Sequence, residues 1–178
     1  YLVAFKREAL TPSRTEYLAS VCRQMMPPGF GVGQDGRASS LVEGRRVDAE
    51  VRLLGQGLAT TITIAFARAL PVDVRVEPAK RYDGMTRFVG VAKELEVQGQ
   101  ETRLVALGAD RRRFVRTLSA EVREELRALS ELGELRLSST ALTLELLFAP
   151  SPAGFASIAH ACLRAAQSVE RAFDLPGR

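Results

Sequence analysis

Hydrophobic and polar residues alternate with a period of two along several stretches of the chain. In "RRVDAEVRL" the apolar residues Val47, Ala49 and Val51 alternate with charged residues. The stretches "ATTITIAFA", "VDVRVE", "ELRLS" and "ALTLELLF" repeat this pattern. Since successive side chains of a strand point to opposite faces, each stretch predicts a β-strand with one buried and one hydrated face. In the last stretch Phe148 is predicted to face inward.

The spacing of these strands predicts how they pair. The first three follow one another closely, which predicts an antiparallel meander. A short strand in "SSLVEG" is predicted to pair with the first of them through Gly44. Further on, "KELEVQGQETRLVAL" predicts a hairpin that turns at Gly99, and "RYDGMTRFVGV" before it is predicted to be an exposed connection.

Apolar residues at helical spacing predict helices at the beginning, in the middle and at the end of the chain. The first covers Ser13 to Met26 and ends at the prolines of "MMPPG". In the middle, Asp110 and Ser119 are each placed to cap a helix, and Gly133 is placed to end the second one. Pro152 begins a long final helix with one apolar stripe.

This order of elements predicts the fold class. Helix, strands, helix, two strands and helix is typical of an α+β domain, an antiparallel sheet with helices packed on one face. The 178 residues suit one domain over 1–178, with the halves 1–79 and 80–178 sharing one core as a further possibility. The first residue is Tyr1 rather than Met, so we expect the intact protein to have a segment ahead of it.

A glycine motif raises the question of nucleotide binding. Gly31, Gly33 and Gly36 have the spacing G-x-G-x-x-G. In a dinucleotide-binding loop a strand precedes the glycines, and the helix that follows points its N-terminus at the phosphates. Here a helix precedes the motif and a period-two stretch follows it. The glycines are therefore predicted to form a loop, and we expect no cofactor.

Cysteine and histidine do not predict a metal or catalytic site. Cys22 and Cys162 lie on the apolar sides of predicted helices, which is typical of buried free thiols. His160, the single histidine, is predicted to lie on the outward side of the last helix. One histidine cannot complete a zinc site without acidic ligands, and it lies in no motif that pairs it with a nucleophile.

Acidic residues on the hydrated faces of the strands are the remaining candidates for catalysis. Those singled out are Asp48, Glu50, Asp73 and Glu77. Paired acids in a cleft can transfer protons. These four are interleaved with Arg46, Arg52 and Arg75, so they are predicted to form cross-strand ion pairs on the surface. The sequence therefore predicts no catalytic residue and favours a protein that is not an enzyme.

The formal net charge of the chain is +4. Arg111, Arg112 and Arg113 form the one tight basic cluster, and it is interpreted either as a hydrated helix start or as a phosphate-contacting patch. Nucleic-acid binding is not favoured, since aromatic residues make up 6% of the chain and tryptophan is absent. No stretch approaches the about 20 apolar residues of a membrane span.

The segments "EYLASVCRQM", "LVEGRRVDAEVRLLGQGLATTITIAFARALPVDVRVEP" and "RFVRTLSAEVREELRAL" occur in that order. From about Glu16 to Phe173 the chain resembles a family of poorly characterised, membrane-anchored proteins of high-GC bacteria. The resemblance implies a soluble α+β domain behind a membrane anchor, and it implies no reaction. The chain departs from the family at "VQGQETRLVALGAD", where relatives are expected to have a "TGD…FD" segment, so the role of those acids is not transferred.

Three functions are consistent with these features. The first is a non-enzymatic domain that binds a protein partner near a bacterial membrane. The second is a secretion-chaperone-like or small-ligand-binding protein, suggested by the order of elements, although such chaperones are usually acidic. The third is a hydrolase or transferase that uses the strand carboxylates. The sequence leaves the partner and the oligomeric state open.

Overall fold

The helices and strands are taken from a computed structural model that describes residues 12–78, 93–97 and 100–174. Within these ranges the helices are α1 (Pro12–Met25), α2 (Arg111–Thr117), α3 (Ala120–Leu132) and α4 (Pro152–Asp174). The strands are β1 (Gly31–Val32), β2 (Arg37–Val42), β3 (Arg45–Leu54), β4 (Gly57–Ala65), β5 (Arg75–Pro78), β6 (Lys93–Val97), β7 (Gln100–Leu107), β8 (Glu134–Leu137) and β9 (Ala141–Leu146).

The described strands form one sheet in the order β1-β2-β3-β4-β9-β8-β5-β7-β6. Every neighbouring pair is antiparallel. The described helices cover one face of this sheet, and we call the other face the open face. The predicted α+β class, with helices on one face and the order helix, strands, helix, two strands, helix, is confirmed.

The strand register explains why one face is apolar. Ala49 pairs with Ile62, and Ile62 pairs with Leu144, so small and branched side chains form a continuous row across three strands. All three are buried. Helix α4 lays its apolar stripe on this layer, with Phe155 and Val169 fully buried. Because each buried side chain of this size stabilises the fold by about 1.5–3 kcal/mol, this layer fixes which face the helices cover.

The predicted meander is wrong in its last step. Strands β4 and β5 are not neighbours, because β9 and β8 lie between them. The chain that joins β4 to β5 passes over the turn of the β8–β9 hairpin, where the Phe66 N–H donates to the Thr140 carbonyl at 2.9 Å and the Leu70 N–H donates to the Ser139 carbonyl at 2.7 Å. The period-two pattern correctly identified the buried face of Val76, but it carries no information about which strand is adjacent.

Two other hairpins follow the prediction. β2 and β3 pair through the turn at Glu43 and Gly44. β6 and β7 pair antiparallel on either side of residues 98–99, so the hairpin is confirmed, although its predicted turn residue Gly99 lies outside the described residues. The predicted exposed connection, residues 81–91, also lies outside them.

Helix and strand ends give mixed results. Ser119 caps α3 as predicted, since its Oγ accepts the Val122 N–H at 3.3 Å. Asp110 occupies the N-cap position of α2 but makes no side-chain cap, because its carboxylate accepts the Asp73 N–H at 2.8 Å.

Phe148 does not face the core. β9 ends at Leu146, so the alternation stops there and the Phe148 ring is exposed.

Gly133 ends α3 as predicted, but close packing rather than an unusual backbone angle makes glycine necessary there. Its φ is −175°, which is extended backbone. A Cβ at this position would lie 2.3 Å from the Glu145 carbonyl oxygen. Glycine therefore lets the end of α3 pass directly against β9.

Candidate functional site

The glycine motif forms a hairpin on the edge of the sheet. Gly31 begins β1, the Gly33 N–H donates to the Arg37 carbonyl at 2.7 Å, and the chain continues into β2. A Cβ on Gly36 would lie 3.0 Å from the Leu18 Cβ of α1. The motif therefore lets the hairpin pack closely against α1, and no helix N-terminus follows it, in agreement with the predicted loop.

Ion pairs occupy the open face beside this hairpin. Arg37 contacts Glu50 at 3.2 Å, and Arg46 contacts Asp48 at 2.9 Å. Arg52 of β3 reaches across β4, and its Nη2 lies 3.0 Å from Glu145 Oε1 of β9. Each acid of this group thus has an arginine partner. The pair of Glu50 with Arg37 joins two strands as predicted, whereas Asp48 pairs with Arg46 of its own strand and not across strands. Such surface pairs contribute about 0–1 kcal/mol each to stability.

The four candidate carboxylates do not meet in one cleft. Glu77 lies on β5, four strand positions from Asp48 and Glu50 on β3, which is about 19 Å at the usual strand spacing. Glu77 contacts Arg75 at 3.6 Å. Asp73 lies in the connection before β5, and its carboxylate accepts the Ala109 N–H at 3.5 Å. The fold therefore keeps Asp73 and Glu77 apart from Asp48 and Glu50, which share the open face of β3, and the structure shows Asp73 with a backbone N–H rather than in the predicted cross-strand ion pair.

A shallow polar depression of about 600 Å³ lies over the open face of β1 to β4. Its lining includes Gly31, Gly33 and the Arg37–Glu50 and Arg46–Asp48 ion pairs. On its floor is Thr63, whose hydroxyl lies 3.3 Å from that of Thr143. The lining side chains offer hydroxyls and paired charges but no histidine or cysteine, so a nucleophile with its own base is not formed there.

His160 lies on the outward side of α4, as predicted, and is exposed. Its Nε2 is 3.8 Å from Glu43 Oε1 in the β2–β3 turn. The same carboxylate accepts a hydrogen bond from Gln167 Nε2 at 3.0 Å. This cluster links the turn to α4 at the protein surface.

A buried ion pair lies next to that cluster and was not predicted from the sequence. Arg45 at the start of β3 contacts Glu170 of α4 through Nη1 and Oε2. The other carboxylate oxygen, Oε1, accepts the Ala67 N–H at 2.6 Å. Glu170 follows Ala166 by four residues, so a signal was present: an acid at a helical position next to the apolar stripe. The pair joins β3, the β4–β5 connection and α4.

Both cysteines are free and buried, in agreement with the interpretation as buried thiols. Burial is the main reason why the pKa of Cys22 rises to about 11, and the nearby Asp35 carboxylate adds to it. Burial also raises the pKa of Cys162 to about 12. Because the thiolate is the reactive form, neither thiol is suited to nucleophilic chemistry near neutral pH.

An exposed apolar group lies at one end of the sheet. Leu54 ends β3, and Leu147 and Phe148 directly follow β9 at the same end. The Phe148 carbonyl accepts the buried Thr60 hydroxyl at 2.9 Å, which fixes this segment against β4. We call Leu54, Leu147 and Phe148 the apolar corner. Leu41, at the other end of β2, is similarly exposed but has Arg46 opposite it.

The arginine cluster lies on α2. Arg111 Nη1 donates to the Gly108 carbonyl at 2.8 Å, whereas Arg112 and Arg113 are exposed. In the described part of the chain, no three or more His, Cys, Asp or Glu side chains are grouped so that they could hold a metal ion. Among the described helices, none has the length and apolar character needed to cross a membrane.

Comparison with known proteins informs the fold. No protein-family model and no curated protein matches this chain. Among solved structures, it is similar to the crystal structure of the mycobacterial trehalose monomycolate transport factor A, TtfA, with a TM-score of 0.50 and 12% sequence identity. The similarity covers 94% of this chain and 97% of that chain. The structural similarity shows that the two chains share a fold, and at 12% identity it shows nothing further.

Proposed function

We propose that this chain is a non-enzymatic interaction domain that binds another protein near a bacterial membrane. The observation that carries the proposal is the apolar corner. Leu147 and Phe148 are 67% and 47% exposed, and they directly follow a strand whose open-face neighbours include several ion pairs. Adjacent exposed apolar side chains on a polar surface mark sites of protein association.

Two further observations support the proposal. The candidate carboxylates on the open face are held by arginines, so this face suits recognition better than proton transfer. The structure with a similar fold is named as a transport factor, and a role in transport is in keeping with a domain that acts by binding. The resemblance to membrane-anchored bacterial proteins points the same way.

A photo-crosslinking residue at position 147 tests this function. With benzoylphenylalanine in place of Leu147, ultraviolet light in the native bacterium is expected to give one discrete adduct, identified by mass spectrometry. Leu54→Glu in the same chain should reduce that adduct at least about tenfold, because a charge buried in an apolar contact costs more than 1.4 kcal/mol.

Leu41→Glu is the matched control for that substitution. Leu41 is 76% exposed and lies at the far end of β2, so its replacement changes charge and hydrophobicity equally but leaves the apolar corner intact. The adduct should persist in this variant. If both variants lose the adduct equally, or if no protein is crosslinked, binding at the apolar corner is refuted.

A chaperone-like or small-ligand-binding role is the second candidate, because the polar depression over β1 to β4 gives the open face a concave region. Light scattering, which measures the oligomeric state, distinguishes a chaperone-like role from the interaction domain. A stable dimer that binds unfolded polypeptide along the open face would favour the chaperone role, whereas a monomer that crosslinks through the apolar corner favours the interaction domain.

A further inference from the structure

The outer face of α2 carries three exposed arginines. Phe114 and Val115 are buried, and Phe114 stacks on Phe173 of α4 with ring centroids 5.7 Å apart. At 3.6 residues per turn, Arg112, Arg113 and Arg116 fall within about 100° of arc on the opposite side of the helix. We call these three residues the arginine triad. Its position is fixed by the aromatic contact beneath it.

The guanidinium groups of this triad differ from most others in the protein. Within the described residues, none of the three makes a hydrogen bond or an ion pair, whereas most arginines elsewhere contact a carboxylate or a backbone carbonyl. On the neighbouring α3, for example, Arg127 Nε donates to Glu124 at 2.9 Å, and this hydrogen bond lowers the pKa of Glu124. As far as the structure describes the chain, the triad is thus a positive surface with no acid paired to it.

The acids closest to the triad in sequence are already engaged. The Asp110 carboxylate accepts the Asp73 N–H, and Glu121 accepts the Ser119 hydroxyl at 3.3 Å. From Asp110 to Ser119 the chain has four arginines and one acid, although the net charge of the whole chain is only +4. Positive charge is therefore concentrated on this helix.

We propose that the arginine triad binds the anionic headgroups of a phospholipid membrane. The triad is convex, because it projects from a helix away from the core. A free phosphate or a peptide is usually held in a concave site or a groove, whereas a plane of phosphates can contact a convex face. Arginine binds phosphate through paired N–H groups. On α2 itself Phe114, the helix's aromatic residue, is buried and is not available for base stacking, which does not favour nucleic acid.

This contact goes beyond the proposed protein-binding function and gives the domain an orientation. The triad lies on α2, on the helix-covered side, whereas Leu54 and Leu147 lie at the end of β3 and directly after β9. With α2 against the headgroups, the open face remains accessible to a protein partner. Crosslinking at Leu147 and lipid binding at α2 report on separate surfaces, so either proposal can fail without the other.

Vesicle sedimentation tests the proposal. The chain is mixed with phosphatidylcholine vesicles, with or without roughly one-third phosphatidylglycerol. We expect binding only to the anionic vesicles, and weaker binding at about 300 mM salt than at about 50 mM, because salt screens exposed charges. Each exposed arginine contributes about 1 kcal/mol near an anionic surface. Arg112→Gln with Arg116→Gln should therefore weaken partitioning about 30-fold, and Arg112→Glu with Arg116→Glu should weaken it further.

Arg23→Glu with Arg164→Glu is the matched control. Both residues are exposed on helices and, within the described residues, have no hydrogen-bond or ion-pair partner. Because two arginines are again replaced by glutamate, the net charge changes by the same amount as in Arg112→Glu with Arg116→Glu. The control should keep its binding, with circular dichroism confirming that all variants fold. Equal losses in both reversals would overturn the proposal, since net charge alone would then explain binding. It would also be overturned if polyglutamate or an oligonucleotide bound through α2 while anionic vesicles did not.

Discussion

Replacing Glu170 by alanine tests how much the buried ion pair contributes to stability. The side chains of Arg45 and Glu170 are 17% and 8% exposed, whereas those of the surface pair Arg68–Asp174 are 77% and 50% exposed. Both pairs involve the last two turns of α4: Glu170 contacts Arg45 of β3, and Asp174 contacts Arg68 of the β4–β5 connection. Since both are arginine–carboxylate pairs in the same region, comparing their contributions to stability shows the effect of burial.

The expected magnitude follows from what the substitution leaves behind. Without the carboxylate, the Arg45 guanidinium is a buried charge without this partner, and the Ala67 N–H loses its acceptor at 2.6 Å. Removing one partner of a buried pair costs about 3–5 kcal/mol. Asp174→Ala should cost at most about 1 kcal/mol, because water can solvate Arg68.

Urea denaturation measures both free energies of unfolding. Arg45→Met combined with Glu170→Ala completes a double-mutant cycle, and we expect the double variant to be more stable than the sum of the single losses implies, because no unpaired charge remains. Glu170→Gln should lose less than Glu170→Ala, since its amide oxygen can still accept the Ala67 N–H. If Glu170→Ala loses no more than Asp174→Ala, burial does not strengthen this pair and the reasoning is refuted.

Two further predictions concern close packing and the thiols. Gly133→Ala should destabilise the fold by about 2 kcal/mol or more in urea denaturation, because a Cβ 2.3 Å from a carbonyl oxygen forces the backbone to move. In the control Gly57→Ala the Cβ would lie 3.8 Å from its nearest neighbour, and the cost should be less than about 1 kcal/mol. Equal losses in the two variants would contradict this account. At pH 8 the folded chain should react with Ellman's reagent far more slowly than the urea-unfolded chain, because burial raises the pKa of Cys22 to about 11 and that of Cys162 to about 12. The folded state binds the thiol protons more tightly than the unfolded state. The stability that they contribute is therefore present below the unfolded thiol pKa near 9 and is lost as the pH rises through 11 to 12. Rapid modification of the folded chain by Ellman's reagent at pH 8 would contradict the prediction, because it would show that the thiols are accessible.

The sequence predicted the faces of the elements better than their neighbours. The alternation at Val47, Ala49 and Val51 follows from burial of one side of a strand, which is a local property, and it was sufficient for the fold class. The insertion of β9 and β8 beside β4 depends on pairing between residues about 80 positions apart, such as Thr63 and Thr143, and the alternation does not encode it.

The candidate site was predictable to a similar extent. The ion-paired state of Asp48 and Glu50 followed from interleaved arginines on the same strand face. The Arg45–Glu170 pair did not, since it joins two elements that only the tertiary fold brings together. Phe148 was assigned to the core because its hydrophobicity matched the alternation, but the strand ends before it and the ring becomes part of the apolar corner.

The position of the β8–β9 hairpin has a consequence for synthesis on the ribosome. When the chain has emerged only as far as β5, β4 can pair with β3, but its second partner, β9, has not yet been translated. The other side of this nine-residue strand then exposes unpaired backbone N–H and C=O groups. These groups find their partners only after Leu146 has left the exit tunnel. A nascent chain that stalls before this point should therefore be prone to pair with other polypeptides, and chaperone contact is expected to be most valuable during this interval.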